Sequence, residues 1–399
     1  LHSLFFLLIA SVFSLSTETI ATSALTPCLM TIFVHGTIKP PRITLSMVSN
    51  ILNQTDPETR PLYQRVNDKL RDNLYLHQSQ AMQQRGLVMI DAHHKESKQG
   101  AHCLKIVFEK EYTFYKLYPI KRLYYTQGWS GLLHATDRLE EGKKFYNELE
   151  QEVIRLRATG YEPSIHIIGY SHGGSVALNL IAGLEESKKT APFHIDQLVL
   201  LAMPVQKETD HYIGRTDFFK KIYHVYSITD NIQPSDFLST TKSLSSKIVF
   251  KKRAGFRLPN TLTQVQIRVT KELKRLPKKS SQKAIDSIEN SHTLLNMPGI
   301  KRVHQDPGHT EFFDFGWGDS VWFRQYFTLY PLPIIAFVPA IVHALATYAP
   351  NAHTAVFDYC PAVSGARITT NTQKDGFTVP VFNKAFLENL KEDVMQCMP

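Results

Sequence analysis

The stretch Ser164-Ile165-His166-Ile167-Ile168-Gly169-Tyr170-Ser171-His172-Gly173-Gly174-Ser175-Val176-Ala177-Leu178 decides how this 399-residue chain is read. An apolar, strand-like run enters a Gly-x-Ser-x-Gly turn, and a run of small residues suited to a helix leaves it. In such a setting the serine stands at the tip of a sharp strand-to-helix turn with its hydroxyl presented as a nucleophile. The backbone at that tip is strained, so the positions two residues to either side must carry little bulk; Gly169 and Gly173 meet this requirement. The following helix starts beside the serine with N–H groups that have no partner within the helix and with the positive end of its dipole, which favours anionic charge there. The N–H of His172 is expected to be one donor to that charge. The alternative is a glycine-rich turn with an incidental serine, and the flanking patterns weigh against it.

Short apolar runs on either side of this stretch complete a pattern of alternating strands and helices. Thr31–Val34 predicts an early buried strand ending at His35-Gly36-Thr37, and Leu87–Ile90, Leu104–Phe108 and Arg122–Thr126 read as further strands. Residues 43 to 84 are polar, Gln-rich and compatible with a helical insertion. From Asp137 to Ala158 apolar residues recur at helical spacing, and the helix after Ser171 is expected to run to about Glu186. Gln197–Ala202 and Ile222–Ser227 are two more apolar strands. Together these predict an α/β fold with a mostly parallel sheet covered by helices on both faces. Ile248–Phe250 and Val265–Val269 suggest a basic hairpin with Gly255 and Pro259 between them, and Lys271 to Asn290 reads as a polar linker. The apolar tract from Tyr330 to Leu345 contains three prolines and is too short to cross a membrane, so it is expected in the core. The tail beyond Asp358 carries little signal.

A serine hydroxyl becomes a useful nucleophile when a histidine takes its proton and a carboxylate orients that histidine. Asp230, just past the C-terminal end of the strand at Ile222–Ser227, is the candidate acid, with Asp210 in reserve. His309, on a loop after Pro307 and Gly308, is the candidate base, and His304 and His292 are its competitors. The backbone N–H of Thr37 is the expected second oxyanion donor, because the bare Gly36 lets that loop approach the serine. Ser130, in Gly128-Trp129-Ser130-Gly131, lacks the glycine two places on and is a decoy. His304, Asp306 and His309, and likewise Asp91, His93 and His94, match no familiar metal-binding spacing, so neither a metal nor another cofactor is expected.

The His-Gly loop after an early strand, the Ile-Gly-Tyr-Ser-His-Gly-Gly elbow, and the later Asp230 and His309 resemble the α/β-hydrolase superfamily, in particular its lipase-like serine esterases. The chain order Ser, Asp, His is that of the superfamily. The resemblance covers about residues 30 to 315, with residues 316 to 399 expected as an extension packed on that domain. It implies hydrolysis of a hydrophobic carboxylic ester through an acyl-serine intermediate. An acyltransferase or thioesterase with the same triad, or a non-catalytic binding protein on the same fold, are the alternatives.

Composition bounds these readings. With 43% hydrophobic and 20% charged residues the chain is ordinary for a folded protein. Between Lys247 and Lys283 there are twelve Lys or Arg against one acid, Glu272, whereas the whole chain has a net charge of +9. This segment is either a solvated insertion or a contact for an anionic membrane surface; no nucleic-acid-binding signature accompanies it. Cys28, Cys103, Cys360 and Cys397 are too scattered to suggest a metal site or a disulfide framework. Leu4–Leu15 resembles a signal-peptide core without a basic start, so either export or a start at Met30 fits, with a slight lean to export.

Overall fold

The computed structural model describes residues 25–38, 60–71, 80–90, 100–117, 120–236, 239, 246–275, 300–304, 306–315, 328–360, 365–379 and 383–397. The strands are β1 (Thr26–Val34), β2 (Gly86–Met89), β3 (Lys121–Gly128), β4 (Tyr161–Tyr170), β5 (Gln197–Leu201), β6 (Ile222–Tyr226), β7 (Leu262–Arg275), β8 (Ile300–His304), β9 (Thr354–Cys360), β10 (Gly365–Thr370) and β11 (Phe377–Val379). The helices are α1 (Arg60–Arg71), α2 (Gly100–Phe114), α3 (Ala135–Ala158), α4 (His172–Leu178), α5 (Leu180–Ser187), α6 (Ile232–Ser235), α7 (Val338–Tyr348) and α8 (Lys384–Cys397). The strands form one sheet in the order β11-β10-β9-β7-β6-β5-β4-β1-β3-β2, with β8 paired to the far part of β7. Its centre, from β9 to β3, is parallel, and β2, β8, β10 and β11 join antiparallel.

The central strands are continuous apolar runs because both faces of the sheet are covered. Along β1, Leu29 and Phe33 enter one core while Cys28, Met30, Ile32 and Val34 enter the other. The first core is closed by α2, α7 and α8, and the second by α3, α4 and α5. The apolar tract ahead of Leu345 is buried in the first core as a short 3-10 turn (Ile334–Phe337) and α7, as its prolines suggested. Among the described residues no helix is long and apolar enough to cross a membrane.

Four expectations are corrected. Leu104–Phe108 lies in helix α2, where Ala101, Leu104, Phe108 and Tyr112 are buried. The local alternation imitates a strand, but the wider spacing is that of one helical face. The basic hairpin does not form either. Val265–Val269 belongs to β7, inserted parallel between β6 and β9, and residues 246–261 are tied to it through Gln264, whose amide bonds both the N–H and the carbonyl of Phe250 (2.8 and 3.2 Å). Residues 271–275, expected in a linker, prolong β7 and pair with β8. The stretch read as a C-terminal extension supplies β9, β10 and β11 to the same sheet. Within the helical insertion at 43–84, α1 is described; His292 and the Asp91, His93, His94 group lie outside the described residues. β1 begins at Thr26, ahead of Met30.

Candidate active site

Strand β1 lies between β3 and β4, so the chain leaves it toward one side and later returns on the other. A crevice opens at the C-terminal ends of strands where the winding reverses in this way. Ser171 follows β4 and the His35-Gly36-Thr37 loop follows β1, which places both at that crevice.

Ser171 has φ 50° and ψ −129°, a region that non-glycine residues rarely occupy. The turn is held by its N–H, which donates to the Leu201 carbonyl (2.8 Å), and by its carbonyl, which accepts from the Gly174 N–H (3.0 Å). The glycines permit it sterically. A Cβ on Gly173 would stand 2.3 Å from the His35 carbonyl oxygen and 2.5 Å from that of Val34, so no side chain fits between the elbow and β1. On Gly36 a Cβ would lie 2.9 Å from the Tyr170 ring and 3.1 Å from the Ser171 Cβ.

The Ser171 Oγ is 2.9 Å from His309 Nε2, and His309 Nδ1 is 2.8 Å from Asp230 Oδ2. A carboxylate can only accept, so the ring carries its proton on Nδ1 and turns Nε2 as an acceptor toward the serine hydroxyl. Asp230 is fully buried, and its second oxygen accepts from the N–H groups of Ile232 (3.0 Å) and Gln233 (3.3 Å) at the start of α6. A buried carboxylate is tolerable only with partners of this kind. The structure thus brings together three side chains that are far apart in the chain.

The loop bearing His309 is tethered to β7, to the turn after β6 and to the end of β4. Asp306 Oδ1 accepts from the Val269 N–H on β7 (2.9 Å), the Pro307 carbonyl accepts from the Thr229 hydroxyl beside Asp230 (3.1 Å), and the His309 carbonyl accepts from the Tyr170 hydroxyl (3.0 Å). Tyr170 also stacks on Phe313, with ring centroids 4.8 Å apart. The competitors sit elsewhere: His304 is in the β8 ladder opposite Thr270, and Asp210 is bonded by Arg253, with 2.8 Å between Oδ1 and the guanidinium. Arg253 belongs to the basic segment, so part of that charge is committed to an ion pair.

Sequence reading did not single out the residues that fix the loop after β1. Trp129 Nε1 donates to the His35 carbonyl (2.7 Å), and its backbone N–H points at His35 Nε2 (3.3 Å). Arg71, buried at the end of α1, donates to the Trp129 carbonyl, to His35 Nε2 (3.1 Å) and to the Gln83 carbonyl (3.1 Å). Asn67, one turn earlier, donates to the Ser130 carbonyl (3.2 Å). The stretch read as a decoy around Ser130 therefore braces the loop after β1. A tryptophan at the end of a strand next to that loop was the one available signal. The Thr37 hydroxyl finds no hydrogen-bond partner among the described residues.

Among the described residues no group of three His, Cys, Asp or Glu side chains could hold a metal ion. Cys28, Cys103 and Cys360 are buried and not joined in disulfides. Comparison with protein-family models, curated proteins and solved structures finds no match to this chain.

Proposed function

We propose that the protein is a serine hydrolase of the α/β-hydrolase type that cleaves a carboxylic ester with a hydrophobic acyl group. The observation that carries this reading is the unbroken relay from Asp230 through His309 to a serine held at positive φ. In the reaction Ser171 Oγ attacks the ester carbonyl carbon as its proton passes to His309 Nε2. The resulting imidazolium is stabilised by the Asp230 carboxylate. The tetrahedral oxyanion is received by the N–H groups of His172 and Thr37. Collapse breaks the bond to the alkoxy group, which leaves with the proton from His309. A water molecule then gives a proton to the same nitrogen and attacks the acyl-serine; collapse breaks the acyl–Oγ bond, His309 returns the proton to Ser171 Oγ, and the carboxylic acid leaves. Ile228 and Ile232, two residues to either side of Asp230, are 57% and 41% exposed, apolar surface of the kind that an acyl chain covers.

Incubation with a fluorophosphonate probe tests this reading. Ser171 is expected to carry the adduct, and Ser171→Ala and His309→Ala are expected to remain unlabelled. A folded wild-type protein that takes up no probe would overturn the proposal.

A further inference from the structure

The short helix α6 has an aspartate at each end. Asp230, just ahead of it, is held by the amides of Ile232 and Gln233, while Asp236, just after it, reaches the side chain of His172 with Oδ2 3.0 Å from Nε2. Both members of this second pair are largely buried, at 4% and 12% exposure. We propose that Asp236 is a positioning residue that, through the His172 imidazole, fixes the backbone N–H of the residue after the nucleophile as an oxyanion donor. This assignment rests on the ester-hydrolase reading.

Asp236 is built into its place from several directions. Its Oδ2 accepts from the Gln206 amide (3.0 Å) and from the Ser239 hydroxyl (2.6 Å), and its backbone carbonyl accepts from the Ser246 hydroxyl (2.8 Å). The side-chain Oε1 of Gln206 accepts in turn from the guanidinium of Arg138 on α3 (2.6 Å), a residue only 1% exposed that also donates to the Ser239 backbone carbonyl (3.0 Å). Burial acts to raise the Asp236 carboxyl; His172, Ser239 and Arg138 outweigh it and hold the group well below the usual carboxylate range. An ionised carboxylate with this many donors has one position, and His172 bonded to it inherits that position.

The consequence falls on catalysis because His172 is also the first residue of α4. Its side chain and its N–H share one Cα, so a fixed imidazole restricts the peptide on which the developing charge is to rest. Oxyanion donors act by being placed before the reaction, and loss of a whole donor costs about 100- to 1,000-fold in rate. Loss of its alignment is expected to cost less. Because Asp230 and Asp236 bracket one helical turn, α6 sets the acid and the oxyanion donor as one unit.

The test uses the full chain, p-nitrophenyl butyrate and the fluorophosphonate probe. Asp236→Asn is expected to lower kcat by about 10- to 100-fold with KM within about 3-fold, and to slow labelling of Ser171 to the same degree. His172→Ala removes the same contact from the other side and is expected to lose as much. It carries the test if Asp236→Asn does not fold. The double variant is expected to be no slower than the slower single variant. His172→Gln, which keeps a donor toward Asp236, is expected to recover part of the rate. Labelling of Asp236→Asn at the wild-type rate, or losses that multiply in the double variant, would sink the assignment while leaving the triad standing. A wild type that is inert to the probe takes down both.

Discussion

At the residue scale the chemistry depends on a few protons whose positions are set by neighbours. Asp230 holds the Nδ1 proton of His309, so Asp230→Asn, which turns a donor toward that nitrogen, favours the wrong tautomer. A fall in kcat of about 10,000-fold is expected, with Ser171 still in place, and steady-state kinetics on a p-nitrophenyl ester would measure it. Three other buried groups contribute to the dependence of stability on pH. Burial pushes His166 and His224 down to about 4, opposed by Asp196 on the first and by Met203 and Gln264 on the second. Burial drives Glu111 on α2 well above its usual range, opposed by the Ala340 N–H that its carboxyl accepts at 3.0 Å. The unfolded chain binds protons at the two histidines that the native state refuses, so their contribution is present above about pH 6.5 and is lost as pH falls toward about 4. Glu111 has the opposite sign: its neutral form contributes fully below about pH 4.5, and the contribution declines as pH rises toward the raised native value. Glu111→Gln removes that decline. Its stability relative to wild type is expected to grow by up to about 1.4 kcal/mol per pH unit above about pH 4.5, which urea melts at several pH values would show. A constant difference between the two proteins would count against a neutral Glu111.

At the scale of elements the site is a set of loops braced from behind. Arg71 ends α1 and binds the carbonyls of Trp129 and Gln83 and the ring of His35. Arg71→Ala leaves these acceptors without their donor and is expected to destabilise the protein by about 3 kcal/mol. It is also expected to lower kcat, because the loop carrying Thr37 loses its support; thermal melts and initial rates report the two effects separately. Gly173→Ala would drive a methyl against the His35 and Val34 carbonyls, and a loss of about 1–3 kcal/mol with strongly reduced labelling of Ser171 is expected. Elements also show what could be read in the chain and what could not. The elbow was legible because strand, turn and helix are contiguous, and Asp230 and His309 because each follows a strand or a Pro-Gly turn. Asp236, Arg71 and Trp129 were not, since their partners lie far along the chain and no periodic pattern surrounds them. Helix α2 and strand β7 were misread for two separate reasons. Leu104 and Phe108 share a buried helical face and the half-buried Ile106 between them completes a chance alternation, whereas the basic residues around Val265–Val269 suggested a surface where the sheet required a buried strand.

At the scale of the molecule two cores, one on each face of the sheet, support the strands whose ends form the crevice. The C-terminal helix α8 closes the first of them with Leu387, Leu390 and Val394. Its Asp393 pairs with Lys110 on α2. Deleting residues 384–399 uncovers the partners of three buried aliphatic side chains, each worth about 1.5–3 kcal/mol, so a large drop in melting temperature is expected in calorimetry. An unchanged melting temperature would mean that α8 contributes nothing to the core.

The sheet order also has a meaning in time. Synthesis runs from the N-terminus, yet β1, the first of the described strands, is flanked by β3 and β4, and β7 waits for β9 at residues 354–360 before its second edge is covered. A nascent chain that has just delivered His309 therefore already contains Ser171, Asp230 and their histidine while a long central strand still offers a bare row of N–H and C=O groups. Strand edges of that kind pair with other chains. Products terminated between residues 275 and 353 carry β7 without β9 and are expected to aggregate more readily than the full chain, which sedimentation of such truncated chains would show.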